Sequence, residues 1–235
     1  MNIFDSSIIS FINSFAHQSL LLDRTIAFVA TFQLIKGGVP AAMLWWAWFK
    51  TGNRTMDNRK HVLATLAACV VALALTQILE AALPFRPLPT LNPEIMFTLP
   101  YGVDIPEKGA WSSFPSDHAV LYFTLAAGFF FISPVMGWMA LIFCFFVIFL
   151  ARVYIGHHYP TDVIAGAALG MGVCWAANTS AFVMRAAERV VRWSDNYPNW
   201  FYTGLFFATY QITVVFHDLR SLVKGVVKFI RLFIG

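Results

Sequence analysis

Charge is what this sequence has least of. Only 12% of its 235 residues are charged, 59% are hydrophobic, and the mean hydropathy is +0.67. Soluble domains carry about a quarter charged residues. A chain this small cannot bury so much apolar surface in one core, so a soluble protein is excluded and lipid must cover part of it. Cysteine is scarce too. Cys69, Cys144 and Cys174 all fall inside apolar runs; their odd number and wide spacing argue against a disulfide framework or a metal-ligand set, and they read as small core residues. The chain lacks internal repeats and low-complexity stretches. It also lacks a basic start: Asp5 stands early in the first twenty residues, so a cleaved signal peptide is not expected. The net charge of +4 sits in clusters between apolar runs. That pattern suits anchoring at a bilayer surface and gives no reason to expect nucleic-acid binding.

What is present is a series of long apolar segments. A bilayer-crossing helix needs about 20 residues, and five segments meet that length, near 26–49, 61–83, 116–134, 137–156 and 161–184. A sixth, 200–216, is shorter and can span, re-enter or lie in the interface. Residues 1–25 place apolar groups at helical spacing beside Asp5, Ser6, Ser7 and Asn13, which predicts an interfacial helix. The expected architecture is an all-α membrane bundle of five or six transmembrane helices. Its core would be 26–184, with an external loop at 84–115, and 185–235 would form an extension ending in a basic amphipathic tail.

Lys50, Arg54, Arg59 and Lys60 sit between the first two spans, and Arg185, Arg189 and Arg192 follow the fifth. Loop 84–115 has only Arg86 and Lys108, set against Glu94, Asp104 and Glu107. The positive-inside rule then places 84–115 and the 157–160 turn outside and the basic loops in the cytoplasm. The tail, with Arg220, Lys224, Lys228 and Arg231, prefers an anionic cytoplasmic leaflet.

Polar residues gather on the outer face. Arg86-Pro87 follows the second span, Pro115-Ser116-Asp117-His118 opens the third, Arg152 closes the fourth, and His157-His158-Tyr159-Pro160-Thr161-Asp162 leads into the fifth. Charged groups at such depth are costly and mark function. Pro115 suits a first helical turn whose N–H groups form an anion site near Ser116 and His118. Arg86 and Arg152 are forks that can grip phosphoryl oxygens. Asp162, four residues after His158, can fold back to an imidazole N–H and leave the other nitrogen free as a nucleophile.

In order and spacing these residues resemble the type 2 phosphatidic acid phosphatase family, whose motifs are K-x6-R-P, P-S-G-H and S-R-x5-H-x3-D. They stand here as Leu79-x6-Arg86-Pro87, Pro115-Ser116-Asp117-His118 and Ala151-Arg152-x5-His158-x3-Asp162. The resemblance covers roughly 26–184. Asp117 replaces glycine and Ala151 replaces serine, both mild changes; Asp117 favours the helix N-terminus by its charge. The family lysine is absent, with Leu79 in its place. Lys36, a lone ammonium inside the first span, is the candidate to restore that charge, against snorkelling or pairing with Glu80.

The resemblance implies hydrolysis of a lipid phosphate or diphosphate at the outer face of a bacterial cytoplasmic membrane. His158 is the implied nucleophile, Asp162 its orienting carboxylate and His118 the general acid. Arg86, Arg152, Ser116 and Lys36 would bind the phosphate, and no metal or other cofactor is implied. Undecaprenyl diphosphate is the favoured substrate. Phosphatidylglycerol phosphate, phosphatidic acid and lipid A are the alternatives, as are transfer to another lipid and a non-catalytic lipid-phosphate binder. A transporter would call for broken helices, for which Gly37-Gly38 with Pro40 is the only hint. His157 reads as a supporting residue, His17, His61 and His217 as interfacial, and Trp111 as a candidate lining of the lipid entrance. Nothing in the sequence fixes the oligomeric state.

Overall fold

A computed structural model describes residues 2–105 and 112–215. The described residues fold as helices joined by short turns and one long loop. In chain order these are α1 (Ile3–Asn13), α2 (Leu20–Thr31), a π-helical turn (Leu34–Gly38), α3 (Val39–Phe49) and α4 (Thr55–Ala82). After the loop come α5 (Asp117–Ile132) and α6 (Pro134–Phe143), a second π-helical stretch (Cys144–Leu150) and α7 (Ala151–Tyr154). The last are α8 (Pro160–Thr179), α9 (Ala181–Asn196) and α10 (Pro198–Thr213). Among the described residues three helices are long and apolar enough to cross a membrane, Thr55–Ala82, Pro134–Tyr154 and Pro160–Thr179, and the bent pair Leu20–Thr31 and Leu34–Phe49 makes a fourth if it is one span. Their outer faces carry exposed Val70, Ile78, Trp138, Ile142, Phe146 and Ile164, as lipid contact demands. This is an all-α membrane protein.

At the centre stands α5, with eleven of its 16 residues buried. A helix that is apolar all round belongs in the interior. Sixteen residues rise only about 24 Å, short of the ~30 Å hydrocarbon core, so this helix does not match the full span expected over 116–134. Ser116 and Ala119 at its start are both buried, so its first turn is enclosed by protein. Helix α8 packs closely on it because Gly166 and Gly170 lack side chains. A Cβ on Gly170 would lie 2.3 Å from the Val120 carbonyl oxygen, and one on Gly166 would lie 2.7 Å from that of Ser116. Small residues at this spacing let helix backbones approach in a membrane.

The first span is not the continuous helix expected over 26–49. The pair Leu20–Thr31 and Leu34–Phe49 bends by 55°. Pro40 has no N–H to give the preceding turn, and Gly37 sits against α10, where a Cβ would lie 2.3 Å from the Thr213 Cα. The π-helical turn at the bend carries Lys36. The second π-helical stretch ends at Leu150, two residues before Arg152. Wide turns of this kind re-aim side chains and are frequent at functional sites.

On the N-terminal helix Ile3, Phe4 and Phe11 are exposed, while Asp5 is fully buried. Its carboxylate meets Arg86 and Thr161, as described below. The basic tail, Trp111, Lys108 and His217 lie outside the described residues.

Candidate active site

Two polar clusters lie at the end of the bundle where α4 finishes and α5 and α8 begin. One is assembled from two arginine–carboxylate contacts. Asp162 on α8 accepts from the Tyr159 N–H at 2.8 Å, closing the first turn of that helix. It also accepts short hydrogen bonds from the Ser113 hydroxyl and from Arg86 Nη1. Arg86 Nη2 donates to Asp5 at 2.8 Å, and the guanidinium lies 3.9 Å above the Tyr159 ring. Asp5 further accepts from the Thr161 N–H at 3.0 Å and from its hydroxyl at 2.7 Å. The start of α8 is thus tied to α1, to the end of the loop and to Arg86. Ser113 N–H donates to the Arg86 carbonyl at 2.8 Å, and the Ser112 hydroxyl accepts from the Arg86 N–H.

The second cluster holds the histidines. His158 is 5% exposed, and its Nδ1 lies 2.8 Å from the Ser113 carbonyl oxygen. A carbonyl only accepts, so Nδ1 carries the hydrogen and Nε2 keeps its lone pair. Burial, followed by the charge of Arg152, pushes the His158 imidazole down to about 4. His157, in the same turn, is pushed down to about 3 by the same two causes. Both rings are therefore neutral near pH 7, and His158 presents an unprotonated nitrogen. Arg152 is 6% exposed; its Nη1 lies 3.1 Å from His157 Nδ1, while its buried Nε has no hydrogen-bond partner. The buried Tyr122 hydroxyl is likewise unpartnered, one turn below His118 with ring centroids 6.3 Å apart. Unsatisfied buried polar groups are costly and call for an explanation; these two face a cluster that can take up an anion.

Lys36 is 4% exposed. Its ammonium is within electrostatic reach of Asp117, Arg152, His118 and His157, and makes no hydrogen bond or ion pair among the described residues. Glu80 instead accepts from the Ser112 N–H at 3.2 Å, so the alternative Lys36–Glu80 pair does not form. His118 Nδ1 lies 2.7 Å from Asp117 Oδ1. Ser116 is fully buried and caps α5, its Oγ accepting from the Ala119 N–H at 3.4 Å.

Measured against the sequence, His118, His158, Arg152 and Lys36 come together. Two contacts differ from expectation. Asp162 does not touch His158: its carboxylate holds the Ser113 hydroxyl, and the Ser113 carbonyl orients the imidazole. Arg86 does not open toward the histidines, because Asp162 and Asp5 occupy both ends of its fork. The sequence reading missed Tyr122, Ser113 and Asp5. Tyr122 was reachable, being four residues after His118 and so on the same helical face; nothing local marked the other two.

Comparison with known proteins identifies the family. The family model described as the PAP2 superfamily matches residues 61–185, a range that includes His118, His158, Arg86, Arg152 and Asp162. A Bacillus licheniformis protein named bacitracin transport permease protein BcrC is 30% identical over 181 residues, spanning 74% of this chain and 80% of its own. Undecaprenyl-diphosphatase BcrC of Bacillus subtilis is 26% identical over 153 residues, spanning 65% and 72%. The crystal structure of Aquifex aeolicus LpxE superposes with a TM-score of 0.52 at 23% identity, over 77% of this chain and all of that one, which shows a shared fold. With the family model spanning more than half of its length, the chain belongs to the PAP2 superfamily.

Proposed function

We propose that this membrane protein hydrolyses a lipid diphosphate, with undecaprenyl diphosphate the favoured substrate, through a phosphohistidine on His158. The observation that carries the reading is the set of uncommitted groups in one buried cluster: the Lys36 ammonium, Arg152 Nε and the lone pair of His158 Nε2. Two cations with open donors beside a neutral nucleophile suit a phosphoryl group, whose transfer depends chiefly on positioning and charge stabilisation.

In the first half-reaction His158 Nε2 attacks phosphorus in line. The bond to the bridging oxygen breaks, and His118 donates a proton to that oxygen. In the second, water attacks the phosphohistidine, His118 takes the water proton, and the N–P bond breaks to release phosphate. Lys36 and Arg152 hold the equatorial oxygens in both steps, and Lys36 supplies the charge that Leu79 cannot. The Ser116 hydroxyl, already accepting from the helix, retains its hydrogen to donate. Asp162 and Arg86 act behind the reacting groups by holding Ser113 and, through it, His158.

Support for the substrate comes from the curated relatives. The Bacillus subtilis relative bears the name undecaprenyl-diphosphatase, as does one from Sulfolobus acidocaldarius, 30% identical over 114 residues. The distribution of basic residues supports a site on the outer face of a cytoplasmic membrane, with Arg54, Arg59, Arg185 and Arg189 at the opposite end. The test is phosphate release from undecaprenyl diphosphate by the purified protein in detergent with EDTA, beside His158→Ala. Release by the wild type alone supports the proposal. Release by both variants, or by neither, overturns it.

A further inference from the structure

The residue that departs from the family pattern in the second motif touches the acid–base histidine. Asp117 occupies the position of the family glycine, and its Oδ1 lies 2.7 Å from His118 Nδ1. The same oxygen accepts from the His118 backbone N–H at 2.7 Å, so one carboxylate fixes both the ring and the first turn of α5. Since a carboxylate accepts only, the hydrogen on the ring must sit on Nδ1, and Nε2 is the nitrogen left to exchange protons.

We propose that Asp117 and His118 form an acid–base dyad, in which Asp117 is a positioning residue that fixes which imidazole nitrogen cycles the proton and sustains the imidazolium. The inference rests on the reading of His118 as the general acid. As the bond from phosphorus to the bridging oxygen breaks, the proton on His118 Nε2 passes to that oxygen, while the Nδ1 hydrogen stays with Asp117. When water attacks the phosphohistidine, the emptied Nε2 takes the water proton and the imidazolium is restored. Asp117 neither gains nor loses a proton in the cycle.

Two surroundings make the carboxylate necessary in this chain. His118 faces two cations, Lys36 from the π-helical turn and Arg152 from α7, beside the neutral His157 and His158 rings of the turn before α8, with Tyr122 one helical turn below. Imidazolium formation there is opposed first by burial and then by two fixed positive charges, and the adjacent Asp117 carboxylate is the group that works against them. The nucleophile His158 has no such partner, since its Nδ1 faces the neutral Ser113 carbonyl. The Asp–His pairing expected at the nucleophile is therefore built at the acid, where a change of charge state is part of the cycle.

The test compares Asp117→Asn, Asp117→Glu, His118→Ala and the Asp117→Asn/His118→Ala double variant with the wild type. Each is assayed in detergent on undecaprenyl diphosphate across the pH range. General acid–base catalysis contributes roughly 10²–10⁴-fold, so loss of the partner alone should lower kcat by about 10–100-fold, with KM little changed. The alkaline limb of the profile should move to lower pH, Asp117→Glu should recover part of the loss, and Asp117→Asn should add nothing once His118 is alanine. An unchanged kcat overturns the dyad. So does an equal loss in the His118→Ala background, or tighter substrate binding with kcat intact, which would make Asp117 a counter-ion to Lys36 and Arg152.

Histidine-selective 15N NMR of the substrate-free protein, assigned with His118→Gln, should show His118 protonated on Nδ1 when neutral; the opposite tautomer overturns the dyad alone. Because this readout needs no turnover, a wild type that keeps the Nδ1–H tautomer but releases no phosphate overturns the phosphatase reading instead.

Discussion

The two polar clusters at the end of the bundle are built from the same kinds of residue and behave differently. Around Arg86, each positive group is answered: Asp5 and Asp162 take its fork, Thr161 and Ser113 fill the remaining carboxylate positions, and Tyr159 covers the guanidinium face. Around His158, Lys36 is held by no partner among the described residues, while Arg152 Nε and the Tyr122 hydroxyl are buried without one. A closed network fixes geometry, and an open one keeps interaction energy for something that arrives later. The first cluster is therefore the frame that holds the start of α8, and the second is the place where we propose that the chemistry happens. The Ser113 residue joins them, its hydroxyl bound to Asp162 and its carbonyl to His158.

Substitutions should separate the two clusters. The largest effect belongs to the open one: His158→Gln should lower phosphate release by about 10⁴-fold or more, as loss of a nucleophile does elsewhere, while thermal unfolding in detergent stays near the wild type. Next comes Lys36→Met. Removing one preorganised charge from a developing oxyanion costs roughly 10²–10³-fold, so kcat/KM should fall by about that factor without loss of folded protein. Turnover that survives this change would return the first span to a purely structural role.

In the closed cluster the order of effects should reverse. Asp5→Asn leaves Arg86 with one carboxylate and removes a charge from the first turn of α8. Breaking a buried pair costs about 3–5 kcal/mol; Arg86 keeps Asp162 and its side chain is 27% exposed, so a loss of about 2 kcal/mol is expected, read as a lowered Tm. KM should change little. A large rise in KM with an unchanged Tm would move Arg86 into direct contact with the substrate.

The last effect, confined to acid pH, is a pH dependence of stability. His157 and His158 are held at about 3 and about 4, below the unfolded value of about 6.5. As pH falls below about 6.5 the unfolded chain takes up protons that the folded protein refuses, so stability declines until the folded pKa values are reached and is retained above that window. Thermal unfolding followed from neutral pH downward should show this decline, and His157→Gln should flatten it. A Tm independent of pH over that range would contradict the buried, neutral state of both rings.

How much of this was legible in the sequence depends on how local each contact is. His118, Arg152, His158 and Asp162 were readable because each sits at a helix end with fixed spacing to a proline or to its partners, and the structure brings both histidines and Arg152 together there. Lys36 was readable as an ammonium with no local reason to lie in an apolar run. The role of Arg86 was not: its partner Asp5 is 81 residues away, on a helix whose composition suggested only an interfacial element. The contact of Asp162 was misjudged for a related reason. Four-residue spacing allowed it to meet His158, but it closes its own helix through the Tyr159 N–H and reaches Ser113 across the loop. The break in the first span was hinted at by Gly37, Gly38 and Pro40, but it falls just before them, between Thr31 and Leu34, where nothing in the sequence marks it. Shortness of α5 was hidden because the apolar run continues through Ser133 into α6.

The central claim is that His158 carries the phosphoryl group between the two half-reactions. It is tested most directly by quenching the protein during turnover of substrate labelled at the terminal phosphate, and following the label on the polypeptide. The account predicts a phosphoprotein that survives alkali and is lost in acid, with the label mapping to His158 and absent from His158→Gln. A label that persists in that variant, or a wild type that turns over without ever becoming labelled, would contradict it.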